Sequence, residues 1–152
     1  MMVTYQSPDI RLEGRIRIKL EGDESVSLAR KGVKGLLREL DAKHSIDDVL
    51  ANDVAIVASE LSTNAIRYAN GGEFTATYND VGTIRIEIED NGGGALEFDP
   101  QMPSTSALGG RGLGIVVALS HRYGIIPRNT RPDQEGKKIV WAEFDVWVAQ
   151  VA

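Results

Sequence analysis

The residues best suited to chemistry in this chain fall into three short segments. Glu60 and Asn64 stand four positions apart, Asp90 is followed by Asn and three Gly, and residues 109–114 read Gly-Gly-Arg-Gly-Leu-Gly. The first segment offers a carboxylate beside an amide oxygen, the second an acid in a glycine turn, and the third unhindered backbone N–H groups before an apolar helical pattern. In this order the three segments predict a site for Mg-ATP.

Glu60 and Asn64 fall on a predicted helix, so their side chains lie one turn apart on the same face. Mg²⁺ prefers oxygen ligands and takes several of them from water and substrate phosphates, so the Asn64 amide oxygen is a sufficient protein ligand. Glu60, next to the metal but not bound to it, is the candidate general base for an attacking hydroxyl. Taken alone, such a pair is also typical of a solvated helix face.

Asp90 ends a segment of alternating Ile, and its carboxylate could accept a hydrogen bond from an exocyclic amine such as that of adenine. An ordinary Asp-Asn-Gly turn is the alternative interpretation of this segment.

The glycines at 109, 110, 112 and 114 precede an apolar helical pattern and are expected to bring backbone N–H groups to a phosphate. Arg111 could contact the phosphates or a protein partner, and the sequence leaves both open. The segment has no Gly-Lys-Ser/Thr end and no strand directly before it, which argues against a P-loop and a Rossmann fingerprint.

The hydrophobic periodicity predicts the elements that position these segments. Strands are expected at 15–20, 74–78, 84–90 and 138–147, and helices at 25–40, from Ser45 to about Tyr68, and after Leu113. Ser45 and Asp48 have the spacing of a capping box for the second helix. Residues 95–108 contain two Pro and no periodicity, which predicts a functional lid. The order favours an α+β fold with a mixed or antiparallel sheet covered by one layer of helices.

The composition limits the class of protein. A chain of 152 residues with 42% hydrophobic residues suits one domain, with a loose tail over residues 1–9. A net charge of −5 makes nucleic acid and anionic membranes poor partners, and no apolar run approaches a membrane span. The absence of Cys and the presence of two His argue against thiolate or zinc sites, and a cytoplasmic protein is expected.

The segments ELSTNAIRYA (60–69), DNGGG (90–94) and GGRGLGIVVALS (109–120) resemble the nucleotide-binding boxes of the GHKL ATPase superfamily, which includes gyrase B and histidine kinases. The likeness covers roughly residues 49–146, and GKKIVWAEF at 136–144 resembles the final strand of the small bacterial anti-sigma factor serine kinases.

The resemblance implies the Bergerat α/β sandwich, in which ATP and Mg²⁺ are the cofactors. Asn64 would bind Mg²⁺, Asp90 the adenine amine, and Glu60 would be the general base. Glycines of the second and third segments, together with Arg111 and Leu113, would border the bound nucleotide: Gly92 and Gly94 at adenine, and Gly110, Gly112 and Gly114 at the phosphates.

The implied activity is a serine/threonine protein kinase that phosphorylates a small antagonist-like regulatory protein and could also bind a sigma factor. A regulator that binds its partner in a nucleotide-dependent way, without phosphorylating it, is the alternative. A homodimer through the edge of the first strand stays open. The chain departs from the family pattern at Tyr68, where many relatives carry His, and at Lys137 and Lys138, where a Thr is frequent.

Overall fold

The computed structural model describes residues 10–91, 110–128 and 137–146, with the side chains of 110–112 excepted. The predicted tail at 1–9 and the predicted lid at 95–108 lie outside the described residues. Within these ranges the chain forms five strands and three helices in the order β1 (Leu12–Leu20), α1 (Asp23–His44), α2 (Asp48–Tyr68), β2 (Gly72–Asn79), β3 (Thr83–Asp90), α3 (Gly110–Leu119), β4 (Arg122–Pro127) and β5 (Lys138–Asp145).

The strands form one sheet in the order β1-β2-β3-β5-β4, and each neighbouring pair is antiparallel. The predicted hairpin joins β2 to β3, with Phe74 opposite Ile88 and Ala76 opposite Ile86. The α+β class and the sheet covered by helices are thereby confirmed.

One face of the sheet, here called the inner face, packs against the helices because every second strand residue is apolar. Ile84, Ile86 and Ile88 are at most 2% exposed, and they contact a helical stripe that includes Val54, Val57 and Leu61. The rest of this core comes from both layers and includes Leu20, Val33, Leu36, Leu40, Phe74, Ala76, Val116, Ala142 and Phe144.

The other face of the sheet, the outer face, carries a network of charged side chains. Arg122 donates a bidentate pair of hydrogen bonds to Asp145, at 2.6 Å each, and a third to Glu143 at 2.9 Å. Glu143 also accepts from Arg85 at 2.9 Å. The hydrogen bonds from Arg122 hold the pKa of Asp145 below its usual value despite partial burial, and the Thr83 hydroxyl acts in the same direction.

The beginning of α2 differs from the prediction. Asp47 is the N-cap, and its carboxylate accepts the Val49 N–H at 2.7 Å. Ser45 instead ends α1, with φ of 54° in the left-handed region. The predicted capping box was wrong because α1 continues to His44 and leaves only three residues between the two helices.

β4 was not predicted. It lies at the edge of the sheet and pairs with β5, and it contains Gly124 and Pro127, which interrupt a strand pattern. None of the helices in the described ranges is both long and apolar enough to cross a bilayer.

Candidate functional site

A cleft opens between α2, α3 and the inner face of the sheet. The space between protein atoms in the cleft, together with the open solvent at its mouth, amounts to about 410 Å³. Its walls come from five strands and helices that are distant in sequence, and its lining is mostly apolar with three polar side chains: Leu61, Asn64, Ala65, Ala69, Ile88, Asp90, Leu113, Ile125, Lys138 and Val140. The structure therefore brings Asn64, Asp90 and Leu113, each singled out from sequence, to one place.

Asp90 lies at the end of β3 and is only 3% exposed. The strand alternation turns its side chain to the inner face, in phase with Ile86 and Ile88. One carboxylate oxygen of Asp90 lies 2.6 Å from Nζ of Lys138, and the other accepts the backbone N–H of Lys138 at 3.3 Å. A buried carboxyl group in an apolar cleft is thus paired with the largely buried amine of Lys138.

Asn64 projects from α2 into the same cleft. Its Nδ2 is buried and, among the described residues, has no hydrogen-bond partner. A buried amide without a hydrogen bond lowers the stability of the fold, so a protein usually keeps such a group for its function. An amide that can reorient to present its oxygen to an ion or a ligand fits the predicted role as a Mg²⁺ ligand.

The glycine-rich segment belongs to a helix instead of preceding one. Since α3 begins at Gly110, Gly112 and Gly114 lie in its first turns, and Arg111 is a helical residue. The expectation that these glycines precede the helix was wrong, because the helical backbone extends further toward the N-terminus than the apolar pattern indicates. The side chain of Arg111 lies outside the described residues. Leu113 is 7% exposed and packs into the cleft.

The first N–H groups of α3 have no partner within the helix, and the helix dipole adds partial positive charge at the same end. This end of α3 borders the cleft through Leu113. Gly92 and Gly94, predicted beside adenine, lie outside the described residues.

Glu60 does not line this cleft. It lies one turn before Asn64 on α2 and faces a groove between α1 and α2, together with Arg30, Lys34 and Ser59. Arg30 donates from Nε to the Ser59 hydroxyl at 2.8 Å in this groove. The structure thus separates the candidate base from the candidate metal ligand by a turn of helix, with a separate opening in front of each.

Lys138 is the polar cleft residue whose position the sequence motifs did not predict. Its alternation with Val140, Ala142 and Phe144 was the available signal, because it places Lys138 in the same phase as the buried residues of β5. Leu61, Ile88 and Val140 belong to the predicted helix and strands, and they form apolar walls of the cleft.

A sequence model of the histidine kinase-like ATPase domain matches residues 22–142, which is well over half of the chain. A comparison with curated proteins found no match. The matched range contains α2, β3, α3 and β4 and the first part of β5, which together line the cleft. The chain belongs to the family of histidine kinase-like ATPase domains, an ATP-binding family of the GHKL type.

Proposed function

We propose that the protein is an ATP-dependent serine/threonine protein kinase of the anti-sigma or switch type. It would transfer the γ-phosphate of ATP to a Ser or Thr of a small regulatory protein, with Mg²⁺ as the metal, in the cytoplasm. The observation that carries the nucleotide site is the meeting of Asn64 and Asp90 in one apolar cleft at the N-terminal end of α3. The resemblance to the anti-sigma kinases supports the choice of acceptor.

The purine base would lie in the cleft. Leu61, Ala65, Ile88 and Val140 give apolar walls for a flat ring, and the Asp90 carboxylate is an acceptor for an amine on its edge. The phosphates would extend toward the first turn of α3, whose N–H groups can donate to their oxygens.

Asn64 would be the protein ligand of the metal. Among the described residues no group of three or more His, Cys, Asp or Glu could hold an ion, so the remaining ligands would come from phosphates and water. Bound Mg²⁺ would neutralise charge on the transferring phosphoryl group. The role of this chain is to hold the Asn64 oxygen beside the phosphates.

Glu60 would act on the acceptor. Its carboxylate takes the proton of the acceptor hydroxyl while the new O–P bond forms and the bond from the γ-phosphorus to the bridging oxygen breaks, releasing ADP. The groove that Glu60 lines with Arg30 and Ser59 would admit the acceptor segment from the side of α1.

Titration calorimetry with ATP, with and without Mg²⁺, tests the nucleotide site. We expect binding that depends on Mg²⁺ and is weakened at least about tenfold by Asn64→Ala and by Asp90→Asn. Asn52→Ala is the matched control, since Asn52 is an exposed amide on the same helix. Failure of the folded wild-type protein to bind ATP would contradict the proposal.

Phosphoryl transfer is tested with labelled ATP and soluble cell proteins as acceptors, followed by analysis of the labelled amino acid. The expected product is phosphoserine or phosphothreonine, and Glu60→Ala should reduce it by roughly a hundredfold or more while ATP binding is kept. Transfer at the wild-type rate by Glu60→Ala would remove Glu60 from the mechanism.

A regulator that binds ATP and captures a partner without phosphorylating it is the second candidate. The position of Glu60 outside the cleft that holds Asn64 and Asp90 favours it. Under this alternative, ATP binds as above but no labelled Ser or Thr forms with any acceptor, and the wild type and Glu60→Ala are indistinguishable.

A further inference from the structure

The groove in front of Glu60 continues along the two long helices. Its first part is lined by Arg30, Lys34, Ser59 and Glu60 among others, and a second, larger opening follows it between α1 and α2. The linings of the two openings share Lys34 and Ala55, so the openings form one surface, here called the helix groove. A segment that reaches Glu60 along this surface therefore lies against both helices.

Three cations stand in a row on the α1 side of the helix groove. Arg30, Lys34 and Arg38 follow one another at intervals of four residues, so they lie on one face of α1, and all three are exposed. Among the described residues, Lys34 and Arg38 form no ion pair, in contrast to Arg17 and Lys43. Their positive charge is therefore available to a ligand.

The other residues of the helix groove set the limits of this positive stretch. Leu37 and Ile56 supply apolar surface beside it. Glu60 lies at one end of the groove, and Asp41 and Asp48 line the opening at the other end. The groove is thus negative at both ends and positive between them, which confines an anionic ligand to its middle.

An extended peptide matches the spacing of the three cations. Positions four residues apart on a helix are separated by about 6 Å along its axis. Alternate side chains of an extended segment are about 6.6–6.8 Å apart and point to the same side. Acidic side chains at alternate positions of a peptide that runs along α1 can therefore each lie beside one cation.

We propose that the helix groove docks an acidic, extended segment of the acceptor protein, with acidic side chains at alternate positions beside Arg30, Lys34 and Arg38. This docking role rests on the proposed kinase function and adds the class of acceptor, which is a Ser or Thr beside an acidic segment. Docking in this groove brings the acceptor hydroxyl to the end at which Glu60 lies.

A solvated helix face is the competing explanation, because exposed Lys and Arg side chains of a helix are often in contact only with water. Lys31 has that character, since it is exposed on α1 and lines neither opening of the helix groove. The same change of charge at Lys31 and at Lys34 alters the net charge of the protein equally. A difference between the two positions therefore measures docking in the groove.

The experiment measures the binding of synthetic peptides to the full chain by fluorescence anisotropy. Each peptide has one central Ser, and the peptides differ only at alternate positions on both sides of it, which are Glu, Gln or Lys. We expect the Glu peptide to bind at least about tenfold more tightly than the Gln peptide, and the Lys peptide to bind most weakly. Added salt should weaken binding of the Glu peptide, because the cations are exposed.

Lys34→Glu and Arg38→Glu should each weaken binding of the Glu peptide by about fivefold or more, because attraction becomes repulsion. Lys31→Glu is the matched control, since it makes the same change of charge on the same helix outside the groove. It should change the affinity by less than about twofold. Circular dichroism checks that each variant is folded.

The outcomes separate the docking segment from the kinase function. If the Glu and Gln peptides bind alike, or if Lys34→Glu weakens binding no more than Lys31→Glu does, the docking segment is overturned, whether or not labelled phosphate reaches an acceptor. If the Glu peptide binds through Lys34 and Arg38 but no acceptor is phosphorylated, the docking surface stands and the kinase function is overturned. A short thymidine oligonucleotide that binds as tightly as the Glu peptide would show a general anion surface and would overturn the choice of an acidic peptide.

Discussion

At the scale of single residues, Gly71 and Gly72 let the chain pass from α2 into β2, which lies between β1 and β3 in the sheet. Their φ angles are 81° and 154°, in the region that L-residues rarely adopt. A Cβ on Gly72 would lie 2.1 Å from the carbonyl oxygen of Glu89, and one on Gly71 would lie 2.2 Å from that of Leu20. These contacts are backbone atoms of paired strands, which have little room to move.

Gly72→Ala is therefore expected to lower the free energy of unfolding by at least about 2 kcal/mol, because strain in φ adds to a clash with backbone. Gly35→Ala is the control: it lies in α1, and a Cβ there meets nothing within 4 Å. That substitution should raise stability by about 0.5–1 kcal/mol. Urea unfolding of both variants measures the difference, and a Gly72→Ala protein as stable as wild type would contradict the geometry.

Replacement of Asn64 is expected to raise stability, because its buried amide nitrogen has no hydrogen-bond partner among the described residues. Asn64→Leu should stabilise the nucleotide-free protein by about 1 kcal/mol more than Asn52→Leu does, because both gain helix propensity but only the first removes an unsatisfied buried group. Nucleotide binding should be lost in Asn64→Leu alone. Chemical denaturation gives the two stabilities, and equal gains would show that Asn64 carries no cost of burial.

At the scale of elements, the junction between α1 and α2 depends on Asp47 rather than on Ser45. Asp47→Ala should cost about 1 kcal/mol, since it removes the acceptor for the Val49 N–H at the start of α2. Ser45→Ala should change stability by less than about 0.5 kcal/mol, because the Ser45 position ends α1 in a left-handed conformation that its side chain does not determine. Thermal unfolding ranks the two, and the reverse order would restore the predicted capping box.

The sequence predicted the long elements well and the junctions less well. Alternating Ile at 84, 86 and 88 marked β3, and the stripe through Val54, Val57 and Leu61 marked α2, because long periodic segments must bury one face. β4 was not predicted because an edge strand that contains Gly and Pro shows no clear alternation of apolar and polar residues. Both Ser45 and Asp47 are good N-caps, and only the observed end of α1 at His44 decides between them.

The site was predictable as a set of residue types but not as a shape. Asp90 and Asn64 were identified by their motifs, whereas the partnership of Asp90 with Lys138 depends on how β3 and β5 align across 48 residues of sequence. Local periodicity does not determine such a register. For the same reason, the sequence placed Glu60 and Asn64 on one helix face but did not reveal that two different openings separate them.

At the scale of the whole molecule, the charged network of the outer face joins β3, β4 and β5. It also makes the stability of the fold depend on pH. Asp145 has a pKa lowered chiefly by Arg122, so its contribution to stability is complete above its ordinary value of 3.8 and is lost as the pH falls through the folded-state pKa. The Arg122–Asp145 pair is bidentate and only partly exposed, so we expect it to make a measurable contribution to stability.

Asp145→Asn should lower stability on the order of 1 kcal/mol between pH 5 and 8, and the difference from wild type should shrink below about pH 4. Glu73→Gln is the control, because the Arg17–Glu73 pair at 3.2 Å is at least half exposed and should contribute little at any pH. Urea unfolding across this pH range gives both differences. A difference for Asp145→Asn that grows on acidification would have the wrong sign.

The strand order has a consequence for how the chain is made. β5 lies between β3 and β4, so β4 leaves the ribosome before the only described strand that pairs with it. Lys138 and Val140, on β5, are also the last described cleft residues to be synthesised. A nascent chain can assemble the hairpin and both long helices early, but its cleft gains its final wall only when translation has passed β5. Ligand binding on the ribosome would therefore report a chain whose translation has passed β5.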